Sequence, residues 1–234
     1  MSDPWVLIPL KSLERGKERL AETLPESLRG ELIVAMLQDL IQALLAVPIA
    51  PARVLLVTED EAAWRLAQIY GIACFHPAPT EHDPLNAALA QASRHVAAQG
   101  GGEILIVHAD LPYARAEDFR ACLAAHRADD AATGQARVTL LSDRSGTGTN
   151  CLLLTPPCAI ELQFGSDSRA RHGAACAASG VAYREIACAG LARDIDFPAD
   201  FLELKRDCEE EAVVVGEQTR SCLQAWVRLA GGDV

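Results

Sequence analysis

Short runs of consecutive apolar residues alternate along the chain with segments in which apolar residues recur every three to four positions. The runs predict strands at 5–10, 53–58, 73–76, 103–109, 137–142, 150–155 and 182–187. Helices are predicted from Thr23, after the second strand as far as Gly71, at 84–98, near 115–127 and 169–179, and from Pro198. Thr23 and Glu26 form a capping-box pattern at the start of the first helix. The apolar side of that helix comprises Ile33, Met36, Leu37, Leu40, Leu44 and Val47.

The predicted strands are continuous Val, Ile and Leu runs, whereas a strand with one wet face would alternate apolar and polar residues. Such strands are covered on both faces, so we expect an α/β fold, a three-layer sandwich with a mostly parallel, mixed sheet. No linker or repeat divides the 234 residues, which predicts a single domain. In this architecture ligands bind beyond the carboxyl ends of the strands.

Composition excludes some partners. The net charge of −11 would repel the phosphate backbone of a nucleic acid. The longest apolar segment, 31–47, contains Gln38, Asp39 and Gln42, and the acidic N-terminus does not resemble a signal peptide. We therefore expect no membrane span and no nucleic-acid partner. The eight cysteines contain no CxxC pair, which favours free thiols in a cytoplasmic protein.

Carboxylates follow two of the predicted strands. Asp110 ends the run "IVHAD", and Pro112 prevents that strand from continuing. Asp194 and Asp196, in "DID", lie two positions apart, so on an extended segment they point to the same side. Three such carboxylates would repel one another unless a divalent cation such as Mg²⁺ lay between them. The alternative is that Asp110 caps a turn and that the other two are solvated loop residues.

A basic loop follows the first strand. It carries Lys11, Lys17 and Arg19 within nine positions. It is not a Walker A loop, because Lys11 stands where the first glycine should be and Glu18 follows Gly16-Lys17. These cations could still neutralise a triphosphate and its pyrophosphate leaving group. An ordinary solvated surface loop is the alternative.

Two further segments are typical of phosphate sites. In "SGTGTN" the glycines allow close backbone approach, and Thr149 and Asn150 add polar groups. In "FGSDSRARH" Gly165 and Ser168 precede a predicted helix, whose free backbone amides could bind a phosphate. Arg169, Arg171 and His172 lie near this second segment. A tight turn in the first segment and a simple N-cap role for Ser168 are the alternatives. The histidines show neither HxH nor HExxH spacing, and no GxSxG elbow is present.

The order of these motifs resembles one family. The set "IPLKSLERGKERLAETL", "PLNAAL", "VHADLP", "GTGTN", "FGSDSRARH" and "DIDFPAD" is similar to the CofC/FbiD guanylyltransferases of coenzyme F-420 biosynthesis, over about residues 5 to 206. The resemblance implies a Rossmann-type fold of the nucleotide-diphospho-sugar transferase kind, like that of the molybdenum-cofactor guanylyltransferases. It also implies transfer of GMP from GTP to 2-phospho-L-lactate, phosphoenolpyruvate or 3-phospho-D-glycerate, with release of pyrophosphate.

The resemblance also implies roles for individual residues. Asp110, Asp194 and Asp196 match the metal-binding aspartates, with Mg²⁺ as the cofactor. Thr149, Gly165 and Ser168 match positions that hold the phosphorylated acid. The basic signature Lys11, Lys17 and Arg19 lies on the nucleotide side together with Asn86, and Lys17 and Arg19 are the candidate catalytic residues.

Two alternatives and one departure from the family accompany this interpretation. The chain could be a nucleotidyltransferase for another acceptor, such as a sugar phosphate or the molybdenum cofactor, or a non-catalytic nucleotide-binding module. The departure is a C-terminal extension from about residue 207, in which "CLQAWVRL" predicts an extra helix. We expect that helix to cover an edge of the core or a partner subunit, which would make a homodimer.

Overall fold

The computed structural model describes residues 3–13, 16–128, 135–210 and 213–229. All seven predicted strands form, each within two residues of its predicted ends. They are β1 Trp5–Pro9, β2 Val54–Val57, β3 Ala73–Phe75, β4 Ile104–Val107, β5 Arg137–Leu141, β6 Cys151–Thr155 and β7 Ala182–Glu185.

The strands form one seven-stranded sheet in the order β3-β2-β1-β4-β6-β5-β7. Parallel pairing joins β3, β2, β1 and β4, and it also joins β5 to β7. Strand β6 runs antiparallel to both of its neighbours, β4 and β5. The predicted mostly parallel, mixed sheet is confirmed. Because β6 is reversed, its first residues lie at the edge of the sheet where β1 and β4 end. Thr149 and Asn150, which precede β6, therefore lie at the same edge as the carboxyl end of β4.

The described part of the chain contains seven α-helices. They are α1 Glu26–Leu45, α2 Glu61–Tyr70, α3 Pro84–Ala98, α4 Ala116–Arg127, α5 Ser168–Ser179, α6 Pro198–Glu210 and α7 Glu217–Leu229. Short 3-10 turns lie at Glu18–Leu20, Pro51–Arg53 and Ala189–Leu191.

The side chains of each strand alternate between two cores, one on each face of the sheet. On one face Val6 and Ile8 pack with α1, α2 and α4, where Phe119 is fully buried. On the other face Leu7 packs with Leu89 of α3 and Cys176 of α5. Helices therefore cover both faces of the sheet, and the predicted three-layer sandwich is confirmed.

The start of α1 differs from the prediction. The helix begins at Glu26, and Pro25 occupies the N-cap position without a side-chain capping hydrogen bond. Thr23 instead lies in a turn, where its backbone N–H donates to the carbonyl of Leu20. Burial of Leu20 and Leu24 determines this turn, so the capping-box pattern was misleading.

The C-terminal extension packs on its own chain. Leu223 and Trp226 of α7 lie in a third core with Leu32 and Met36 of α1. Asp39 of α1 accepts hydrogen bonds from the backbone N–H groups of residues 218 and 219, which begin α7. The predicted extra helix therefore covers an edge of the core. In the described ranges, no helix has the length and apolar character needed to cross a bilayer.

Candidate active site

Two carboxylates and one ammonium group meet beyond the carboxyl ends of β1 and β4. Asp110 lies three residues after β4, and its backbone carbonyl accepts a hydrogen bond from the N–H of Ile195 (3.2 Å). That bond fixes the "DID" segment beside Asp110. Lys17 Nζ donates to Asp110 Oδ2 and to Asp196 Oδ1, the latter at 2.6 Å. We call Lys17, Asp110, Asp194 and Asp196 the charged half of the site.

The basic loop places its three predicted cations differently. The backbone of Lys17 is in the left-handed region, with φ of 57°, which is uncommon for a residue other than glycine. Arg19 Nη1 lies 3.3 Å from Asp196 Oδ2, and its guanidinium group stacks on the ring of Phe197. Lys11 is exposed at the start of the loop. Lys17 and Arg19 are therefore brought to the carboxylates, whereas Lys11 lies in solvent.

Within the charged half, the surroundings of Asp194 disfavour its ionised form. Burial, and then the neighbouring Asp110 charge, raise the pKa of Asp194 to about 6. Burial acts in the same direction on Asp110, but Lys17 and His108 outweigh it, so the pKa of Asp110 is lowered. Burial alone would lower the pKa of Lys17, yet the two carboxylates it contacts raise it. Lys17 therefore stays protonated at neutral pH. Among the described residues, no cation forms an ion pair with Asp194.

The donor set suits Mg²⁺, although its present arrangement does not enclose an ion. Carboxylate oxygens are the ligands that Mg²⁺ prefers, and Asp110 Oδ1 is buried without a hydrogen-bond partner. Among the residues that the structure describes, no three His, Cys, Asp or Glu side chains have a metal-binding arrangement. The Lys17 ammonium group lies between Asp110 and Asp196. A metal could therefore use Asp110 Oδ2 and Asp196 Oδ1 only if Lys17 moved away.

A second cluster, uncharged and buried, lies at the start of β6 and of α5. The Ser168 hydroxyl donates to Thr149 Oγ1 (3.0 Å), and His172 Nδ1 lies 3.1 Å from the same oxygen. The backbone N–H of Gln163 donates to His172 Nε2 (3.0 Å). All three side chains are at most 5% exposed. We call Thr149, Ser168 and His172 the neutral half of the site.

The side chain of Asn86 holds the backbone next to this neutral half. Its Oδ1 accepts from the N–H of Phe164 (2.8 Å), and its Nδ2 donates to the carbonyl of Phe164 (2.9 Å) and to Asp83 Oδ2 (2.8 Å). Both amide hydrogens are thus engaged within the chain. The nucleotide contact of Asn86 stays a prediction, and its observed contacts lie on the side of Thr149 and Ser168.

The segment before α5 offers fewer free amides than the sequence suggests. The helix begins at Ser168, and Asp167 holds the N-cap position in the left-handed region. The N–H of Ser168 donates to the carbonyl of Gly165 and that of Arg169 to the carbonyl of Thr147. Gly165 has φ of 116°, a conformation that only glycine adopts readily. A phosphate at this position would therefore depend on hydroxyl groups as well as on amides.

Two residues of the site, His108 and Phe164, were not singled out from the sequence, whereas Asn150 and His172 were noted in the two phosphate motifs. Asn150 Nδ2 donates to Asp194 Oδ1 (3.2 Å). The His108 ring lies edge-on to Phe164, with centroids 5.3 Å apart, and Phe164 lies 4.9 Å from the ring of His172. This column of three rings joins the charged half to the neutral half. The sequence did contain a signal that links His172 to Ser168, since the two residues are four positions apart and so share a helix face.

The architecture and the site together define a class of protein. The fold is similar to that of a protein from Desulfovibrio desulfuricans described as a nucleotide-diphospho-sugar transferase, with a TM-score of 0.74 over the whole of both chains. Their sequences are only 14% identical, so the likeness concerns the fold alone. A permanent cation and carboxylates at the carboxyl edge of such a sheet are the groups that a nucleotidyltransferase uses on phosphates.

The sequence identifies the family within this class. The chain belongs to the CofC-like guanylyl transferases, whose family model matches residues 5–213. A phosphoenolpyruvate guanylyltransferase of Nocardia farcinica is 38% identical over 93% of this chain and 89% of that protein. Another phosphoenolpyruvate guanylyltransferase, from Sphaerobacter thermophilus, is 34% identical over 85% of this chain and 90% of that protein. The protein is therefore a nucleotidyltransferase of the guanylyl-transferring kind.

Proposed function

We propose that the protein transfers GMP from GTP to the phosphate of phosphoenolpyruvate, in coenzyme F-420 biosynthesis. A phosphate oxygen of the acceptor forms a bond to the α-phosphorus of GTP. The bond from that phosphorus to the oxygen bridging the β-phosphorus breaks, and pyrophosphate leaves with its electron pair. The structural observation that carries the proposal is the ring column, which joins the charged half to the neutral half. The names of the relatives support phosphoenolpyruvate as the acceptor and disfavour a sugar phosphate or the molybdenum cofactor.

The side chains of this chain act by alignment and charge. The acceptor phosphate oxygen is already a competent nucleophile, so the reaction needs no strong general base. Lys17 and Arg19 neutralise the triphosphate and the departing pyrophosphate, with Lys11 as a further cation at the mouth of the loop. Lys17 keeps its proton in this role, because the adjacent carboxylates raise its pKa. Thr149, Gly165 and Ser168 hold the acceptor in line with the α-phosphorus.

We propose that Asp110, Asp194 and Asp196 hold Mg²⁺ when the nucleotide is bound. The ion would supply charge neutralisation at the phosphate oxygens. The unpartnered Asp110 Oδ1 and the raised pKa of Asp194 both support this, since each marks a carboxylate that lacks compensation. A calorimetric titration of Mg²⁺ into the GTP-bound protein tests it without turnover. We expect the heat signal to be lost in Asp110→Asn.

We also propose a cytoplasmic location, because GTP and phosphoenolpyruvate are cytoplasmic metabolites.

Product analysis tests the proposed function. The protein is incubated with GTP and Mg²⁺ and, in turn, with phosphoenolpyruvate, 2-phospho-L-lactate, 3-phospho-D-glycerate or a hexose phosphate. Pyrophosphate and the mass of the guanylylated product are followed. We expect phosphoenolpyruvate to give one product molecule per pyrophosphate, and GTP to surpass CTP, UTP and ATP. Product from another acid only would reject the acceptor, and GTP binding without pyrophosphate release would favour a non-catalytic module.

A further inference from the structure

The donors and acceptors in the neutral half can be assigned from the contacts alone. The starting point is the backbone N–H of Gln163, which always carries its hydrogen. It donates to His172 Nε2 at 3.0 Å, so that ring nitrogen must be bare. A neutral imidazole with a bare Nε2 carries its hydrogen on Nδ1. The imidazolium form is disfavoured as well, because it would set two N–H groups against each other.

The surroundings of His172 agree with a neutral ring. The side chain is fully buried, and burial lowers its pKa to about 4. The backbone of Ser168 opposes this shift, whereas Arg171 and His108 add to it. At neutral pH the ring therefore has one hydrogen, and that hydrogen lies on Nδ1. Its partner is Thr149 Oγ1 at 3.1 Å, which acts as the acceptor in this contact.

Thr149 Oγ1 then accepts two hydrogen bonds. One comes from His172 Nδ1–H and the other from the Ser168 hydroxyl. A hydroxyl oxygen has two lone pairs, so both are used, and only its own hydrogen remains. Among the residues that the structure describes, none accepts that hydrogen. The Thr149 hydroxyl can therefore bind only a hydrogen-bond acceptor that comes from outside the described residues.

We propose that His172 is a positioning residue for the acceptor substrate: it fixes the Thr149 hydroxyl as an obligate donor to an anionic phosphate or carboxylate oxygen. Ser168 acts through the same hydroxyl. This inference rests on the proposed function for the identity of the anion, phosphoenolpyruvate. The hydrogen-bond assignment itself depends on neither the substrate nor a metal. An ammonium or hydroxyl donor on a ligand would meet no free lone pair at Thr149.

The first test measures the tautomer in the absence of substrate. In protein labelled with ¹⁵N in its histidines, long-range ¹H–¹⁵N correlation spectra distinguish a protonated from a bare ring nitrogen. We expect His172 to show a protonated Nδ1 and a bare Nε2 from pH 5 to 8. His172→Gln assigns the signal by removing it. A protonated Nε2, or an imidazolium ring in this range, would overturn the proposal even if the enzyme turns over phosphoenolpyruvate.

The second test measures coupling between His172 and Thr149. In His172→Phe an aromatic ring remains, but it has no N–H group that could replace Nδ1–H. We expect the KM for phosphoenolpyruvate to rise about ten-fold and the KM for GTP to change little. Thr149→Val should raise the same KM, and Thr149→Ser, which keeps the hydroxyl group, should raise it less. In the Thr149→Val background, His172→Phe should add less than about a two-fold change.

The outcomes separate this inference from the proposed function. Multiplicative effects of His172→Phe and Thr149→Val would show that the two residues act independently, which contradicts the inference. If wild type reacts with a different acid, the proposed acceptor fails and the coupling is measured with the acid that reacts. If no acid reacts, the tautomer spectrum alone decides the role of His172.

Discussion

The two halves of the site solve the problem of buried polar groups in opposite ways. In the charged half, one oxygen of Asp110 has no partner, Asp194 has a pKa raised to about 6, and Lys17 holds an uncommon backbone conformation. In the neutral half, Thr149, Ser168 and His172 satisfy one another through direct hydrogen bonds. A cluster of buried charges without enough partners is stabilised when a charged ligand binds. A cluster whose hydrogen bonds are already satisfied is already in its binding geometry. We infer that the charged half rearranges on binding and that the neutral half does not.

The largest effect is expected from Asp110→Asn. The amide keeps the shape of the side chain but removes the charge that faces Lys17 and the proposed metal. We expect kcat to fall on the order of 100-fold or more with the fold retained. Glu22→Gln is the matched control, since Glu22 is an exposed acid on the basic loop. Steady-state kinetics with saturating Mg²⁺ check the prediction, and turnover close to that of Glu22→Gln would contradict it.

Replacement of Lys17 should produce the next largest effect. In Lys17→Ala the carboxylates of Asp110 and Asp196 lose their shared cation and repel the triphosphate. We expect the KM for GTP to rise on the order of ten-fold, with a lower kcat and a smaller change for phosphoenolpyruvate. Lys11→Ala is the comparison, because Lys11 is exposed on the same loop and should have a weaker effect. If only the KM for phosphoenolpyruvate moved, the loop would belong to the acceptor side.

The neutral half should be sensitive to acid, because His172 is buried without a charge. Its pKa is lowered from 6.5 to about 4, so the unfolded chain binds its proton first as the pH falls. The stability that this histidine contributes is complete above pH 6.5 and is lost as the pH falls through about 4. The difference amounts to up to about 3 kcal/mol in the free energy of unfolding. Urea unfolding of wild type and His172→Gln at several pH values checks this, and parallel curves between pH 6.5 and 4 would argue against it.

A smaller effect on stability is expected from Asn86→Ala. The substitution leaves the buried N–H and carbonyl of Phe164 without partners, at a cost of about 1–3 kcal/mol. Gln91→Ala is an internal control, because Gln91 makes the same pair of bonds to the backbone of Ala78 in an exposed position. We expect Gln91→Ala to cost less than about 0.5 kcal/mol.

Kinetics of the same Asn86 variant indicate which substrate it serves. Since Asn86 holds the backbone next to the neutral half, the KM for phosphoenolpyruvate should rise more than the KM for GTP. A selective rise in the KM for GTP would instead restore Asn86 to the nucleotide side.

The sequence predicted the architecture well because the architecture depends on local patterns. Each buried strand is a short apolar run, and each such run became a strand. The start of α1 was misjudged because burial of Leu20 and Leu24 outweighed the pattern at Thr23. The sequence predicted a mixed sheet but not which strand is antiparallel, because a continuous apolar run does not indicate the direction in which a strand lies.

The site was predictable only as a set of residue types at strand ends. Asp110 and Lys17 were selected from their positions after β4 and β1, but their contact spans 93 residues and no local pattern contains it. The part played by His172 depends on a hydrogen bond from the backbone of Gln163, which sequence spacing does not encode. Asn86 shows the same limit, because its amide faces the backbone of a segment 78 residues away.

The most direct test of the two-half account is a crystal structure of the protein with phosphoenolpyruvate and a non-hydrolysable GTP analogue. We predict that an anionic oxygen of phosphoenolpyruvate lies about 2.7 Å from Thr149 Oγ1. We also predict that the triphosphate lies against Lys17 and Arg19, with Lys17 withdrawn from between Asp110 and Asp196. A structure in which the triphosphate occupies the Thr149 and Ser168 pocket, or in which phosphoenolpyruvate contacts only Lys17, would contradict the account.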